Sequence, residues 1–212
     1  MWDRTENQIK LVFIRHGATN ANKEHRYLGK TDENLSVEGI KELQQAKCAG
    51  RYPDLDYLFS SPMKRCLETA GILYPAKKPE IISEWEEMDF GIFEGKNYID
   101  LQDDERYQAW IDRKGTLPFP EGESREAFIQ RCERGFNRML IQLSEWISAF
   151  TGERQKQMIT VGMIVHGGTI MSLLSSFYGG EYFDYQVANG RGYVCKLEYR
   201  KEKIRLTALE KQ

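Results

Sequence analysis

The stretch Leu-Val-Phe-Ile-Arg-His-Gly, residues 11–17, decides the fold, and Ile-Val-His-Gly-Gly, residues 164–168, repeats its pattern. In each stretch an apolar run ends at a histidine that is followed by glycine. A continuous apolar run is typical of a strand buried on both faces, as in the parallel sheet of an α/β protein. Ligands bind at the carboxyl ends of such strands. If the two strands are neighbours, His16 and His166 converge on one crevice, where glycine lets a ligand approach the backbone amides.

The rest of the chain alternates between strand and helix patterns, which predicts a three-layer α/β/α sandwich. Strands are predicted over about 9–15, 57–60, 81–82, 158–166, 193–199 and 204–209, and helices over about 36–50, 97–113, 123–150 and 168–178. Ser61 and Pro62 are expected to open a further helix that reaches about residue 74, with the serine as N-cap and the proline in the first position. We interpret residues 1–212 as one domain, because a chain of this length suits a single core.

The composition gives no indication of a nucleic-acid partner, a membrane partner or a bound metal. With 41% apolar and 29% charged residues, the chain resembles an ordinary soluble protein, and its formal net charge of −2 gives no electrostatic case for a nucleic-acid or membrane surface. The polar N-terminus lacks the apolar core of a signal peptide, and no stretch approaches the ~18 apolar residues of a membrane span, so we expect the cytoplasm. The four cysteines form no CxxC pair, which argues against a zinc site or a redox motif.

The candidate catalytic residues are histidines, arginines and acids. The chain has no GxxxxGK[ST], GxGxxG, GxSxG or HExxH signature, which excludes the common nucleotide, hydrolase and zinc-protease patterns. Arg15 and Arg65 both follow predicted strands, and a guanidinium suits bidentate binding of phosphate. A neutral imidazole can attack phosphorus near pH 7 when a hydrogen bond holds its other nitrogen. One histidine could therefore attack and the other stabilise the phosphate, while a carboxyl of raised pKa within residues 84–94 protonates the leaving alkoxide.

These residues lie in blocks that resemble those of the histidine phosphatase superfamily, which includes the cofactor-dependent phosphoglycerate mutases. In chain order the blocks are Arg15–Thr19 with Asn22 (RHGxTxxN), residues 26–39, Ser61–Ala70 (SPxxRxxxTA), Glu87–Gly95 (ExxFGxWEG, with Phe93 in place of tryptophan), residues 122–124, and His166–Gly168. They cover nearly the whole chain. The resemblance implies a three-layer sandwich with a mostly parallel central sheet and a helical excursion, about residues 93–122, that covers the site.

The resemblance also implies roles for individual residues. His16 is expected to be the phosphorylated nucleophile and Glu87 the proton donor, with Glu84 as the alternative acid. The implied phosphate and substrate ligands are Arg15, Asn22, Arg65, His166, Gly167, Arg26 and Gly29. For Arg26 a solvated loop arginine is an equally good interpretation. No metal and no other cofactor is implied.

The interval between Gly95 and Pro120 is shorter than in the mutases of the family, which favours the phosphatase branch. Residues 103–110 and 120–124 are most similar to α-ribazole phosphatases and related broad-specificity phosphatases. We therefore expect a metal-independent phosphomonoesterase that hydrolyses a small phosphorylated metabolite, with α-ribazole phosphate as a candidate. A mutase-type phosphoryl transfer and a non-catalytic phospholigand-binding module are the alternatives. The sequence indicates no oligomeric state.

Several residues around the expected site keep two interpretations. The aromatic residues of the excursion either form a lid over an aromatic ligand or pack against the body; they are Tyr98, Tyr107, Trp110 and Phe119. Glu121 stands where glycine is frequent in the family, and it either disfavours anionic substrates at the entrance or faces solvent. Arg191 is expected to be a turn residue, and His25 a residue of the surface or the substrate rim.

Overall fold

A six-stranded sheet in the order β3-β2-β4-β1-β5-β6 forms the centre of the computed structural model, which describes residues 8–149, 158–200 and 203–212. The strands are β1 (Ile9–Arg15), β2 (Tyr57–Ser60), β3 (Glu80–Ile81), β4 (Ile159–Val165), β5 (Gly192–Arg200) and β6 (Lys203–Lys211). Strands β1 to β4 pair in parallel, whereas β5 is antiparallel to both β1 and β6. The predicted mostly parallel sheet is confirmed.

Helices pack on both faces of this sheet. They are α1 (Asn20–Lys23), α2 (Val37–Cys48), α3 (Lys64–Leu73), α4 (Tyr98–Leu101), α5 (Glu105–Asp112), α6 (Arg125–Ala149) and α7 (Gly167–Phe177). Leu11 and Phe13 of β1 belong to a buried cluster with α6 and α7, while Val12 and Ile14 belong to a second cluster with α2 and α3. Alternate side chains of one strand therefore enter two cores, which explains the unbroken apolar run and confirms the three-layer sandwich.

The two histidine strands are direct neighbours. β1 and β4 pair in register from Ile9 with Ile159 to Arg15 with Val165, and the amide of His16 donates to the carbonyl of Val165 at 2.9 Å. Both strands end at the same edge of the sheet, so the residues that follow them meet there.

Two predicted helices differ from the observed ones. Helix α3 begins at Lys64, two residues later than expected, and has no side-chain cap. The hydroxyl of Ser61 lies 2.8 Å from Nε2 of His166 and accepts only a long hydrogen bond, 3.4 Å, from the amide of Met63, so this serine mainly contacts the site. The predicted helix over 97–113 is split into α4 and α5, because Asp104 caps a new helix by accepting from the amide of Arg106 at 2.9 Å. Residue 150, the predicted end of the long helix, lies outside the described residues.

None of the described helices is long and apolar enough to cross a membrane.

Candidate active site

The carboxyl edge of β1 and β4 brings the two histidine rings together. Their centroids lie 5.2 Å apart with an interplanar angle of 64°, and both residues are buried, His16 at 3% exposure and His166 at 0%. His16 follows β1 directly, and His166 occupies the N-cap position of α7. The sequence pattern of strand, histidine and glycine thus produces one paired imidazole cluster.

The ring of His16 is oriented by its own loop. Nδ1 lies 2.7 Å from the carbonyl oxygen of Gly17, and since a carbonyl only accepts, Nδ1 carries the hydrogen and Nε2 keeps its lone pair. The loop is fixed in turn, because the amide of Gly17 donates to Oγ1 of Thr69 at 3.0 Å. Burial, together with the charges of Arg65 and Arg15, holds the pKa of His16 well below its usual range. The imidazole is therefore neutral near pH 7.

His166 is held by a different set of partners. Arg65 approaches Nδ1 with its Nε at 3.4 Å, so Nδ1 accepts and Nε2 donates to the hydroxyl of Ser61 at 2.8 Å. Burial and the charge of Arg65 hold the pKa of His166 well below its usual range. Both histidines of the cluster are thus neutral, with opposite tautomers.

Arg65 is fully buried and is held by backbone carbonyls. Its Nη2 donates to the carbonyl of Gly29 and its Nη1 to that of Thr31, both at 2.9 Å. The amides of the same two residues donate to Oε1 of Glu94, at 2.8 and 2.9 Å. Gly29 therefore holds Arg65 in position, and Glu94 holds this loop; neither residue lines the cavity described below.

Arg15 has a donor without a protein partner. Its Nη1 donates to the carbonyl of Val187 at 2.7 Å, whereas its buried Nε has no hydrogen-bond partner among the described residues. A Cβ built on Gly167 would lie 3.5 Å from this Nε, so the guanidinium borders the first turn of α7. Buried donors are nearly always paired, and an unpaired one beside a helix N-terminus fits an anionic ligand.

Glu87 supplies the buried carboxyl of the site. Its Oε1 accepts from the amide of Met88 at 3.0 Å and its Oε2 from that of Gly168 at 3.4 Å. Burial raises the pKa of Glu87 despite these bonds and the nearby guanidinium groups of Arg15 and Arg65. The alternative acid, Glu84, pairs with Arg138 and does not line the cavity.

Arg131 is a residue of the site that the sequence patterns missed. Its guanidinium donates to the carbonyls of Glu84 at 2.9 Å and Glu86 at 2.8 Å, and it forms a bidentate pair with Glu123 at 3.0 and 2.7 Å. These bonds hold the turn that carries Glu87. No local sequence signal marks such an arginine, because most of its partners are backbone carbonyls some 45 residues away in the chain.

A cavity of about 600 Å³ opens beside this cluster. Its wall includes Arg15, Glu87 and Gly167, whereas the two imidazole rings are buried. The apolar part of the wall is largely aromatic and includes Tyr27, Phe90, Trp110, Phe119 and Phe183. Among the described residues, no group of three or more His, Cys, Asp or Glu side chains could hold a metal ion; the metal-independent reaction stays a prediction.

The aromatic residues of the excursion pack mainly against the body. Trp110 lies 5.0 Å from Phe119 and 6.3 Å from Tyr27 between ring centroids, and Tyr107 joins the same cluster. Trp110 and Phe119 also line the cavity, while Tyr98 is 61% exposed and does not. The packing interpretation therefore fits the cluster, and two of its members form part of the cavity wall.

Two other expected ligands are engaged elsewhere. Arg26 pairs with Glu24 and Asp100, both at 2.6 Å, and is not in the cavity wall, which favours a loop arginine over a substrate ligand. Oδ1 of Asn22 accepts from the amide of Thr19 at 3.2 Å and from the side chain of Asn189 at 3.0 Å, so it fixes the loop after His16.

Glu121, His25 and Arg191 do not line the cavity. Glu121 is exposed and has a φ of +58°, a left-handed conformation that favours glycine. His25 is an exposed loop residue, and Arg191 lies in the turn before β5, with its carbonyl accepting from the amide of Arg15 at 2.8 Å.

A parallel α/β sandwich with two buried histidines, two arginines and one carboxyl at a strand edge defines a phosphate-handling class of protein. The chain belongs to the histidine phosphatase superfamily (branch 1), whose family model matches residues 11–212. The family resemblance stated from the sequence blocks is thereby confirmed.

Two curated relatives are phosphatases by name, and another is named a probable phosphoglycerate mutase. The chain is 33% identical over 136 residues to the adenosylcobalamin/alpha-ribazole phosphatase of Escherichia coli (strain K12), covering 62% of this chain and 66% of that protein. It is 30% identical over 132 residues to phosphoserine phosphatase 1 of Hydrogenobacter thermophilus, covering 60% and 62%. The chain thus spans slightly less than two thirds of the length of these curated relatives. The crystal structure of a putative alpha-ribazole-5'-P phosphatase from Escherichia coli superposes with a TM-score of 0.74 at 25% identity, covering 95% of this chain and 96% of that one.

Proposed function

We propose that this protein hydrolyses the phosphate monoester of a small metabolite through a phosphohistidine formed on Nε2 of His16. The orientation of His16 carries the proposal: the Gly17 carbonyl holds the Nδ1 hydrogen at 2.7 Å, which leaves a neutral Nε2 lone pair beside Arg15 and Arg65. A neutral imidazole with one nitrogen fixed in this way is a competent nucleophile.

In the first step, Nε2 of His16 attacks phosphorus and the bond from phosphorus to the ester oxygen breaks. The proton of the Glu87 carboxyl goes to the departing alkoxide, and the raised pKa of this buried group supports that role. We assign stabilisation of the negative charge on the phosphoryl oxygens to the Nε donor of Arg15, which has no partner among the described residues, and to the amide at the start of α7. His166 offers the Nε2 hydrogen that it now donates to Ser61.

In the second step, water attacks the phosphohistidine. The Glu87 carboxylate takes a proton from that water, the bond between phosphorus and Nε2 breaks, and inorganic phosphate leaves. The site then returns to its starting state with a neutral His16 and a protonated Glu87. One carboxyl thus serves as acid and then as base.

The substrate is a small phosphorylated metabolite, and α-ribazole phosphate is the first candidate. The names of the E. coli relatives support this choice, as does a cavity wall in which Trp110 and Phe119 offer flat apolar surfaces. We also propose that residues 1–212 form one domain, which is supported by the single described sheet and a family match over residues 11–212. The cytoplasmic location, and the absence of nucleic-acid and membrane partners, stay predictions from the composition.

A panel of substrates tests the proposal. Purified protein is assayed for inorganic phosphate released from p-nitrophenyl phosphate, α-ribazole phosphate, phosphoserine, sugar phosphates and 3-phosphoglycerate, without added metal. His16→Ala should abolish release, while His25→Ala, which changes an exposed histidine, should leave it unchanged. Isomerisation of 3-phosphoglycerate that depends on 2,3-bisphosphoglycerate, without phosphate release, would instead establish the mutase alternative. Absence of turnover on every compound would contradict the proposal.

A further inference from the structure

The wall of the cavity contains a second guanidinium whose charge is not balanced. Arg125 is the first residue of α6 and lines the same cavity as Arg15 and Glu87. Within the described parts of the chain no carboxylate forms an ion pair with it, and its only protein hydrogen bond runs from Nη2 to the carbonyl of Gly115. A cation that borders a ligand cavity without a counter-ion fits an anion brought by the ligand.

The position of Arg125 opposes the local preference of the helix. The N-terminus of a helix carries partial positive charge and disfavours cations, and α6 is 25 residues long. Ser124 already caps this helix, because its hydroxyl accepts from the amide of Ala127 at 3.1 Å. The arginine therefore adds nothing to the start of the helix, and a residue that breaks a local rule in a cavity wall points to function.

The rings beside Arg125 orient it for binding. Its guanidinium carbon lies 5.4 Å from the ring centroid of Tyr182 and 5.1 Å from that of Phe183. Both distances lie within the range of a cation–π contact, which uses none of the N–H donors of the guanidinium for a conventional hydrogen bond. Apart from the donor that binds the carbonyl of Gly115, the N–H donors of this guanidinium have no protein partner in the described chain.

We propose that Arg125 binds a second anionic group of the substrate, a carboxylate or a second phosphate, while the groups around Arg15 hold the phosphoryl group that is transferred. The inference rests on the proposed phosphomonoesterase function but disfavours α-ribazole phosphate as the substrate, because that compound carries no anionic group besides its phosphate. The preferred substrates are phosphate monoesters that carry a further negative charge beyond an apolar spacer. Arg125 is then a specificity-determining residue, separate from the groups that carry out the chemistry.

Matched aryl phosphates test this role. The probes are 4-(carboxymethyl)phenyl phosphate, its neutral carboxamide and the corresponding phosphonomethyl compound, in which a methylene group insulates the leaving oxygen from the second group. We expect the wild type to have a kcat/KM about tenfold or more higher for an anionic probe than for the carboxamide, the factor that one charge-assisted hydrogen bond supplies. The carboxylate and phosphonate arms show which anion is preferred.

Variants then assign the preference to Arg125. Arg125→Met should bring the ratio between anionic and neutral probes to about one, because kcat/KM falls more for the anionic probes than for the carboxamide. Arg125→Lys should keep part of the preference, because it keeps the charge without the fork. Arg113→Met is the matched control, since it removes the same charge from an exposed residue outside the cavity wall and should keep the wild-type ratio.

Binding measurements distinguish a failure of the role proposed for Arg125 from a failure of the proposed hydrolysis. Dissociation constants for the non-hydrolysable methylenephosphonate analogues of the probes are measured by calorimetry on the same variants, and they should show the same preference and its loss. Equal affinities for anionic and neutral analogues in the wild type would overturn the role of Arg125, as would a preference that survives in Arg125→Met. An equal loss of affinity for all probes in Arg125→Met would also overturn it, because that result is expected if Arg125 only maintains the shape of the cavity. Absence of turnover with the affinity preference intact would contradict only the proposed hydrolysis.

Discussion

A methyl group added at Gly168 tests the packing around the proposed acid. Gly168 is the second residue of α7, and a Cβ built there would lie 2.4 Å from Oε1 of Glu87 and 2.9 and 3.1 Å from two ring atoms of Phe128. An ordinary contact begins near 3.4 Å, so the carboxyl oxygen has to move by about 1 Å in Gly168→Ala. The substitution displaces Glu87 without changing its chemistry.

The size of the effect follows from this displacement. A misplacement of about 1 Å in a catalytic group lowers the rate by about 100-fold. Overpacking costs about 1–3 kcal/mol, and alanine in place of glycine in a helix returns about 0.5–1 kcal/mol, so Gly168→Ala should lose up to about 2.5 kcal/mol of the free energy of unfolding. The 100-fold loss of rate corresponds to about 2.7 kcal/mol, so the activity should fall measurably while the protein stays folded.

The assay compares two leaving groups. Gly168→Ala should lower kcat/KM by about 100-fold on an alkyl phosphate, whose alkoxide needs a proton, and by much less on p-nitrophenyl phosphate, whose phenolate leaves readily. Gly71→Ala, in α3, is the control, since a Cβ there meets no heavy atom within 4 Å. It should keep full activity and raise the free energy of unfolding by about 0.5–1 kcal/mol. Wild-type kinetics on both substrates in Gly168→Ala would refute the assigned contact between Gly168 and Glu87.

Three further predictions concern the same site. Glu87→Gln should lower turnover of alkyl phosphates by about 10²- to 10⁴-fold. Because burial raises the pKa of Glu87, its ionisation costs stability as pH rises above 4.5. The unfolding temperature of Glu87→Gln relative to that of the wild type should therefore increase between pH 4.5 and pH 7, in thermal unfolding followed across pH. Arg131→Met should reproduce the dependence of Glu87→Gln on the leaving group, whereas Arg138→Met, which breaks an exposed pair, should change neither kinetics nor stability by more than about 1 kcal/mol. Arg65→Lys should lose about 1–3 kcal/mol of unfolding free energy for each backbone carbonyl left unpaired, measured by urea unfolding, and should bind inorganic phosphate more weakly in calorimetry.

The sequence predicted the central sheet because β1 and β4 are buried on both faces, which forces an apolar residue at each position from 11 to 14 and from 163 to 165. The meeting of His16 and His166 followed from the same pattern, since neighbouring parallel strands end at one edge. These features depend on local periodicity, and they are readable without the fold.

Contacts between residues far apart in the chain could not be predicted from the sequence. Ser61 looked like a helix cap, yet its hydroxyl contacts His166, which is 105 residues away. Arg131 and Arg125 looked like ordinary helix residues, because their partners are carbonyls and rings of other segments. Arg26 occupies a position of the family motif, but it pairs with the carboxylates of Asp100 in α4 and Glu24 in the loop after α1. Side-chain contacts of this kind require the tertiary structure.

Direct detection of the phosphoenzyme tests the central claim, the transfer of the phosphoryl group to Nε2 of His16. The wild type and His25→Ala are mixed with ³²P-labelled substrate, quenched in alkali within milliseconds, digested and analysed by mass spectrometry. We expect an acid-labile, alkali-stable phosphate on Nε2 of His16 in both proteins, formed and lost at rates compatible with turnover, and no label in His16→Ala. Label on another residue, or full turnover by His16→Ala, would contradict the mechanism.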